Sequence, residues 1–297
     1  MILVVGATGQ CGAAAVSALT ARNMPVRVLM RPHRGAAPVV PAGCELASGD
    51  ITRPDTLAAA LDGVTGIVNC VGVGHDLRTR PAAIETVEVT GNRNLIEAAV
   101  AAGQAPHVVY LSALMAERAP YARPFAVKRL TEAALGASGL PFTILRPSNF
   151  TESIAGDFVS NGVANLAGRF PFPTSPISVH DLGQIAARCV TELRPSGRVH
   201  HLFGPETMSF PDVIRRWAGA RDETVKFRSM PLPAFRVLTA AAAPVRPLFP
   251  VIYSLIRSFN ELDWSGDAAE SRRLAGGELL SVDDAARRHH QPDQLPS

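Results

Sequence analysis

Short apolar runs alternate with longer segments of helical spacing through the first half of the chain. Ile2 to Val5 is a continuous apolar run, followed by Gly6-Ala7-Thr8-Gly9-Gln10-Cys11-Gly12 and then by the alanine-rich segment Ala13 to Ala21. That succession predicts a strand, a glycine turn and a helix. Further strands are predicted at Val26 to Met30, Cys44 to Ala47, Gly66 to Val71, Val108 to Leu111 and Phe142 to Leu145. Helices are predicted between them over Pro54 to Leu61, Pro81 to Ala102 and Phe125 to Ala137. Thr52, with Asp55 three residues on, is the expected N-cap of the Pro54 helix. Strands separated by helices imply an α/β fold, a Rossmann-type doubly wound parallel sheet.

The pattern loosens after residue 147. Residues 148–176 are rich in Asn, Gly, Phe and Pro, which suits loops and small elements over a ligand cleft. Regular spacing returns in a helix from Asp181 to Leu193, with Ser178 three residues before Asp181 in a capping arrangement. A strand at His200 to Phe203, a helix from Phe210 to Ala218, a strand at Thr224 to Phe227 and proline-interrupted helices complete the reading, with a frayed tail from Gln291 to Ser297. Residues 1–150, with 178–205 returning to them, are expected to form an NAD(P)-binding domain. Residues 151–177 and 206–297 then make a smaller C-terminal substrate or lid lobe. No internal repeat is visible.

With 297 residues and 47% hydrophobic content the chain can bury a large core. A net charge of +3, scattered, gives no reason to expect a nucleic-acid partner. Cys11, Cys44, Cys70 and Cys189 lie far apart, with neither a CxxC pair nor metal-ligand spacing, so no metal is expected and a reduced, cytoplasmic compartment is the simplest reading. A strand beginning at Ile2 leaves no room for a secretory signal. The apolar stretch Leu232 to Phe259 contains three arginines and four prolines, and so holds no uninterrupted window of the ~20 residues a spanning helix needs. It could lie on a membrane surface, but two short buried or lid-forming helices are favoured.

The glycine turn carries the clearest chemistry. Glycines at this spacing, between a strand and a helix, let backbone N–H groups face a pyrophosphate without side chains in the way. Gly6, Thr8, Gly9, Gln10, Cys11 and Gly12 are therefore the candidate contacts. Where an NAD-binding chain places an acid about 20 residues on, at the end of the second strand, this one has Arg31, with Arg34 close behind. A guanidinium there favours the 2′-phosphate, and hence NADP(H) over NAD(H). Asp50 ends the third strand, where a carboxylate can accept from adenine or cap a helix. Gly72 follows the fourth strand, where a small residue lets the sheet edge approach a ribose closely.

Taken together, Gly6-Ala7-Thr8-Gly9-x-x-Gly12, Arg31, Gly49-Asp50, Leu111-Ser112-Ala113, Lys128 and Gly139-Leu140-Pro141-Phe142-Thr143-Ile144-Leu145-Arg146-Pro147 resemble the atypical short-chain dehydrogenase/reductases. The closer resemblance is to the NmrA-like branch, which includes isoflavone-reductase-like enzymes and the accessory subunit of respiratory complex I. It is firm to about residue 150, thinner at Val179-His180-Asp181-Leu182 and nearly absent after 206. The wider superfamily uses a Tyr-x-x-x-Lys pair on one helix with a serine after the fifth strand. Here Lys128 is present, but Pro124 stands four residues before it. The resemblance places Lys128 beside the nicotinamide ribose, with a possible part in proton transfer; the bland alternative is a surface pair with Glu132. Ser112 fits the serine position, either bonding a substrate carbonyl or capping the strand end. Tyr121 and His75 are substitute acids, the latter beside Asp76. In the family the segment holding Asn149 and Phe150 contacts nicotinamide or substrate.

Two functions follow from the resemblance. One is an NADPH-dependent oxidoreductase acting on a small apolar carbonyl, enone or quinone. The other is a non-catalytic NADP(H)-binding sensor or accessory subunit lacking the tyrosine. The oligomeric state is not legible.

Overall fold

The computed structural model describes residues 1–31, 42–72 and 81–290. The chain runs through β1 (Ile2–Val5), α1 (Gln10–Thr20), β2 (Val26–Met30), β3 (Cys44–Ser48), a 3-10 turn at Pro54–Thr56, α2 (Ala58–Leu61) and β4 (Gly66–Asn69). A helical run follows, made of α3 (Pro81–Ala83), a π-helical stretch Ile84–Gly91 and α4 (Asn92–Ala101), then β5 (His107–Leu111), α5 (Arg123–Ala137) and β6 (Phe142–Pro147). Next come α6 (Thr151–Phe158), β7 (Val159–Ser160), β8 (Val163–Ala167), β9 (Pro173–Thr174), α7 (Val179–Arg188) with a π-helical end Cys189–Leu193, β10 (Arg198–Leu202) and β11 (Met208–Ser209). The last elements are α8 (Phe210–Gly219), β12 (Lys226–Met230), α9 (Leu232–Ala242), α10 (Phe249–Glu261), α11 (Ala269–Ala275) and α12 (Val282–His290).

Seven strands form the main sheet in the order β10-β6-β5-β4-β1-β2-β3. The pairs β1–β2, β1–β4, β2–β3, β4–β5 and β5–β6 are parallel. The order reverses at β1, so that β1 and β4 flank the point where a doubly wound sheet takes its ligand. β1 and β4 are buried along their whole length, as parallel strands covered on both faces must be. The expected Rossmann-type sheet is present.

The chain forms two compact units. One comprises Met1–Pro120, Pro124–Arg146 and Leu182–His200; the other comprises Tyr121–Arg123, Pro147–Asp181 and His201–Ser297. The first is built on Leu3, Leu57, Leu61, Ile67, Leu95 and Tyr110, all essentially inaccessible. The second packs Phe158, Phe170, Phe210 and Phe259 into one aromatic cluster, with Phe170 and Phe210 stacked at 4.6 Å.

Several local expectations change. Thr52 does not cap a helix: its hydroxyl donates to the Asp50 carboxylate at 2.8 Å, a stronger acceptor than a backbone group. The Pro54 segment begins as a 3-10 turn with no side-chain cap, and only Ala58–Leu61 is α-helical. The long helix expected over Pro81 to Ala102 carries the π-helical stretch in its middle. α5 starts at Arg123, ahead of the expected Phe125, because Pro124 in the first turn forfeits an N–H that has no intrahelical partner anyway. Residues 148–176 are more regular than their composition suggests, holding α6 and β7 to β9. The strand expected at Thr224 to Phe227 lies at Lys226–Met230, where it pairs parallel with β8. The two short helices of the 232–259 region are present, but α9 is not buried: Thr239 is its one buried residue.

Candidate functional site

β1 delivers the chain into the glycine turn. Gly6 takes a φ of +82°, and a Cβ there would lie 2.9 Å from the Cys70 carbonyl oxygen of the neighbouring strand end. The Gly9 N–H donates to the Gly6 carbonyl at 3.1 Å, closing the turn. A Cβ on Gly12 would fall 2.1 Å from that same Gly6 oxygen, so α1 can start this close to β1 only with glycine there. Gly9 is the N-cap of α1, with no side-chain cap and no acid in the first turn. The positive end of the helix thus carries no carboxylate of its own in the first turn, a setting that favours an anion. Thr8, Gly9 and Gln10 are exposed, and Cys11 is half-buried. This cradle fits a dinucleotide pyrophosphate.

Arg31 is exposed, one residue beyond the end of β2. Asp50 is turned inward on its own loop, its Oδ1 accepting from the Thr52 N–H and hydroxyl, both at 2.8 Å. Gly72 is exposed and a Cβ there would meet nothing, so the protein's own packing does not demand glycine at that position. Arg34 and His75 lie outside the described residues.

Lys128 does not make the surface pair with Glu132. Its Nζ sits 3.3 Å from the Glu88 carboxylate and donates to the Leu111 carbonyl at 3.3 Å, 5.6 Å from the centre of the Tyr110 ring. Glu88 projects from the π-helical stretch and is almost inaccessible. Burial works against the lysine's charge, but Glu88, and after it Tyr110, outweigh it and hold the ammonium above its ordinary range. Lys128 is thus a fixed cation. Tyr110 is wholly buried, and burial raises its phenol. The Glu88 backbone carbonyl accepts from Thr131 at 2.9 Å and Asn92 at 2.8 Å, and Asn92 accepts from Asn69 of β4 at 2.9 Å. These bonds tie the π-helical stretch to the neighbouring helix and strand.

Glu132 faces the other way. Arg146 at the end of β6 grips it with two bonds, Nε to Oε1 at 2.9 Å and Nη2 to Oε2 at 2.6 Å. The Ser112 hydroxyl donates to the same carboxylate at 2.5 Å, and Ser112 is only 3% exposed. Arg146 also reaches Glu117 at 2.8 Å, which Arg129 meets at 2.5 Å. The serine hydroxyl is thus committed to a buried ion-pair network, and serves neither as a strand-end cap nor as a donor aimed at a ligand.

In the second unit, Tyr121 precedes α5 and so does not share a helix with Lys128. Its ring lies under the Arg257 guanidinium at 4.4 Å, and burial together with Glu261 pushes its phenol up, away from acid–base work near neutral pH. The Asn149 amide donates to Thr174 at 3.0 Å, and its carbonyl accepts from Ile177 at 2.9 Å. Phe150 forms the adjoining bridge with Ile177 and is half-buried. Ser178 caps α7 by accepting from the Asp181 N–H at 2.9 Å, while the Asp181 carboxylate accepts from Leu280 at 2.9 Å.

The residues missed from the sequence are Glu88 and, in its true partnership, Glu132. Glu88 had a visible signal: it falls on the helical stripe Ile84, Gly91, Leu95, where a charge has no business unless paired.

A family model described as NAD(P)H-binding matches residues 6–193. A photosystem II assembly factor, Ycf39 of Cyanophora paradoxa, is 27% identical over 234 residues, covering 78% of this chain and 72% of that protein. An NAD(P)H azoreductase of Xenophilus azovorans is 23% identical over 251 residues, 82% of each. Among solved structures, the NADPH complex of the quinone oxidoreductase QOR2 from Escherichia coli superposes with a TM-score of 0.75 at 21% identity, covering 98% of this chain and 100% of that one.

Proposed function

We propose, for a chain that belongs to the NAD(P)H-binding family, that it is an NADPH-dependent reductase of a small apolar acceptor, a quinone or enone in preference to a simple ketone. The first-turn N–H groups of Gln10, Cys11 and Gly12 hold the pyrophosphate, and Arg31 takes the 2′-phosphate. Lys128, kept charged by Glu88, anchors the nicotinamide ribose. When bound, the reduced nicotinamide supplies a hydride.

The observation that carries the choice of acceptor is the hydrogen bond from Ser112 to Glu132, with Pro124 in the place of the superfamily's tyrosine. A ketone that accepts hydride becomes an alkoxide, a strong base that needs an acid held beside it. A quinone or enone becomes a hydroquinone anion or enolate, whose charge is delocalised and which takes its proton from water. The Xenophilus relative, named as an azoreductase, and the Escherichia protein, named as a quinone oxidoreductase, support reduction of conjugated acceptors.

The test is NADPH consumption across matched ketones, enones and quinones. The expected result is oxidation with quinones or enones and none with ketones; ketone turnover at a comparable kcat/KM would overturn it. Tight NADPH binding with no oxidation by any acceptor would favour a second reading, a non-catalytic binder. That reading draws on the Cyanophora relative, which is named for assembly, and on the same missing tyrosine.

A further inference from the structure

α9 presents two faces. Leu232, Phe235 and Thr239 recur at helical spacing and anchor it: Leu232 and Phe235 pack on the second unit's core, and the Phe235 ring meets Tyr253 at 6.4 Å. The opposite stripe is Ala234, Val237, Leu238 and Ala241, also at helical spacing and also apolar, with Val245 in the turn just beyond the helix. It lies open, with Val237 70% exposed, Leu238 51% and Val245 78%. A helix that is apolar on its outward as well as its inward face has a missing neighbour.

Charge identifies that neighbour. Residues 224–260 contain Lys226, Arg228, Arg236, Arg246 and Arg257 and no Asp or Glu, although the whole chain carries only +3. The rest of the chain is therefore net negative. Lys226, Arg228, Arg236 and Arg246 are exposed, and none makes an ion pair among the described residues. A second copy docked here would set like charge against like. An apolar stripe with Arg236 on the same helix and Arg246 just beyond its end matches the interface of an anionic bilayer, where side chains of this kind enter the acyl boundary and arginines meet headgroup phosphates.

We infer that the α9 face, with its flanking arginines, docks the protein on an anionic lipid surface. No helix among the described residues is long and apolar enough to cross a membrane, so attachment is peripheral and reversible. This goes beyond the reductase reading and does not depend on it.

The experiment is co-sedimentation of the full chain with phosphatidylcholine vesicles and with vesicles of phosphatidylcholine and phosphatidylglycerol in equal parts. Binding is expected to the second kind only, and is expected to weaken with added salt. Two variants separate the contributions: Val237→Asp with Leu238→Asp removes the stripe, and Arg236→Glu with Arg246→Glu reverses the charge. Both pairs are on the exposed face, and unchanged circular dichroism will show that they fold. Each is expected to reduce binding about tenfold or more. Absence of binding to the anionic vesicles overturns the inference, as does binding that both variants retain. Concentration-dependent self-association of the lipid-free chain that Val237→Asp abolishes would overturn it in favour of a second copy, and a stoichiometric protein complex lost in the same variants would overturn it in favour of a protein partner.

Discussion

The Ser112 hydroxyl donates its hydrogen to Glu132 at 2.5 Å, inside a carboxylate already held by Arg146. A serine at this place in the superfamily's pattern is expected to face a substrate; here it completes a buried network. Ser112→Ala should therefore cost stability, roughly 1–3 kcal/mol for a buried acceptor left short of a donor, and leave kcat/KM for a quinone within about twofold. Denaturant melts and steady-state rates measure the two effects. A large fall in kcat with the melt unchanged would return Ser112 to the active site.

Glu88 and Lys128 form a buried pair, and each is costly without the other. Glu88→Gln or Lys128→Met alone should destabilise by about 3–5 kcal/mol, while the double variant should recover much of that loss. Activity should separate differently. If the cation serves the cofactor as proposed, Lys128→Met and the double variant should both lose turnover. A double variant as active as the parent would show that the lysine is purely structural.

On the proposed reading Arg31 decides between the two dinucleotides. Replacing it by Asp would then remove a charge-assisted contact to the 2′-phosphate and offer the ribose hydroxyls an acceptor. NADPH affinity should fall about 10- to 100-fold and NADH affinity should rise, both readable by fluorescence titration. Equal loss for both nucleotides would place Arg31 away from the adenosine ribose.

Legibility followed locality. The glycine turn, the alternation of strands and helices and the sheet class depend on residues near one another in the chain, and each was readable. The fate of Ser112 was not, because it depends on Glu132 and Arg146, which arrive from another helix and another strand. Lys128 shows the same limit: spacing alone offered Glu132 four residues away, whereas the fold supplied Glu88 from forty residues earlier. Thr52 shows a competition that no pattern ranks, since a carboxylate two residues back outbid the helix terminus.

Two buried groups should give opposite pH responses. Both oxygens of Glu152 share the single Val179 N–H, but burial pushes the Glu152 carboxyl up to about 7. A raised folded value means stability present below the unfolded value of 4.5 and lost as pH rises through about 7. Glu152→Gln should thus gain roughly 1–3 kcal/mol over the parent at pH 8 and little at pH 4. His107, whose ring meets Thr143 at 2.9 Å, is pushed down to about 4 by burial and then by Arg194. Its contribution is present above 6.5 and lost as pH falls towards 4. Melting curves across this range, with His107→Gln beside Glu152→Gln, should resolve both slopes.

The wide turns between Ile84 and Gly91 also set a phase for everything around Lys128. Each residue of an ordinary α-helix advances the side-chain direction by about 100°, so deleting one residue between Ala83 and Glu88 would let the stretch tighten while swinging the carboxylate off the lysine. The aim of the Glu88 carboxylate at the lysine is thus stored in the number of residues in a neighbouring helix, and this segment should tolerate substitution far better than any change of length.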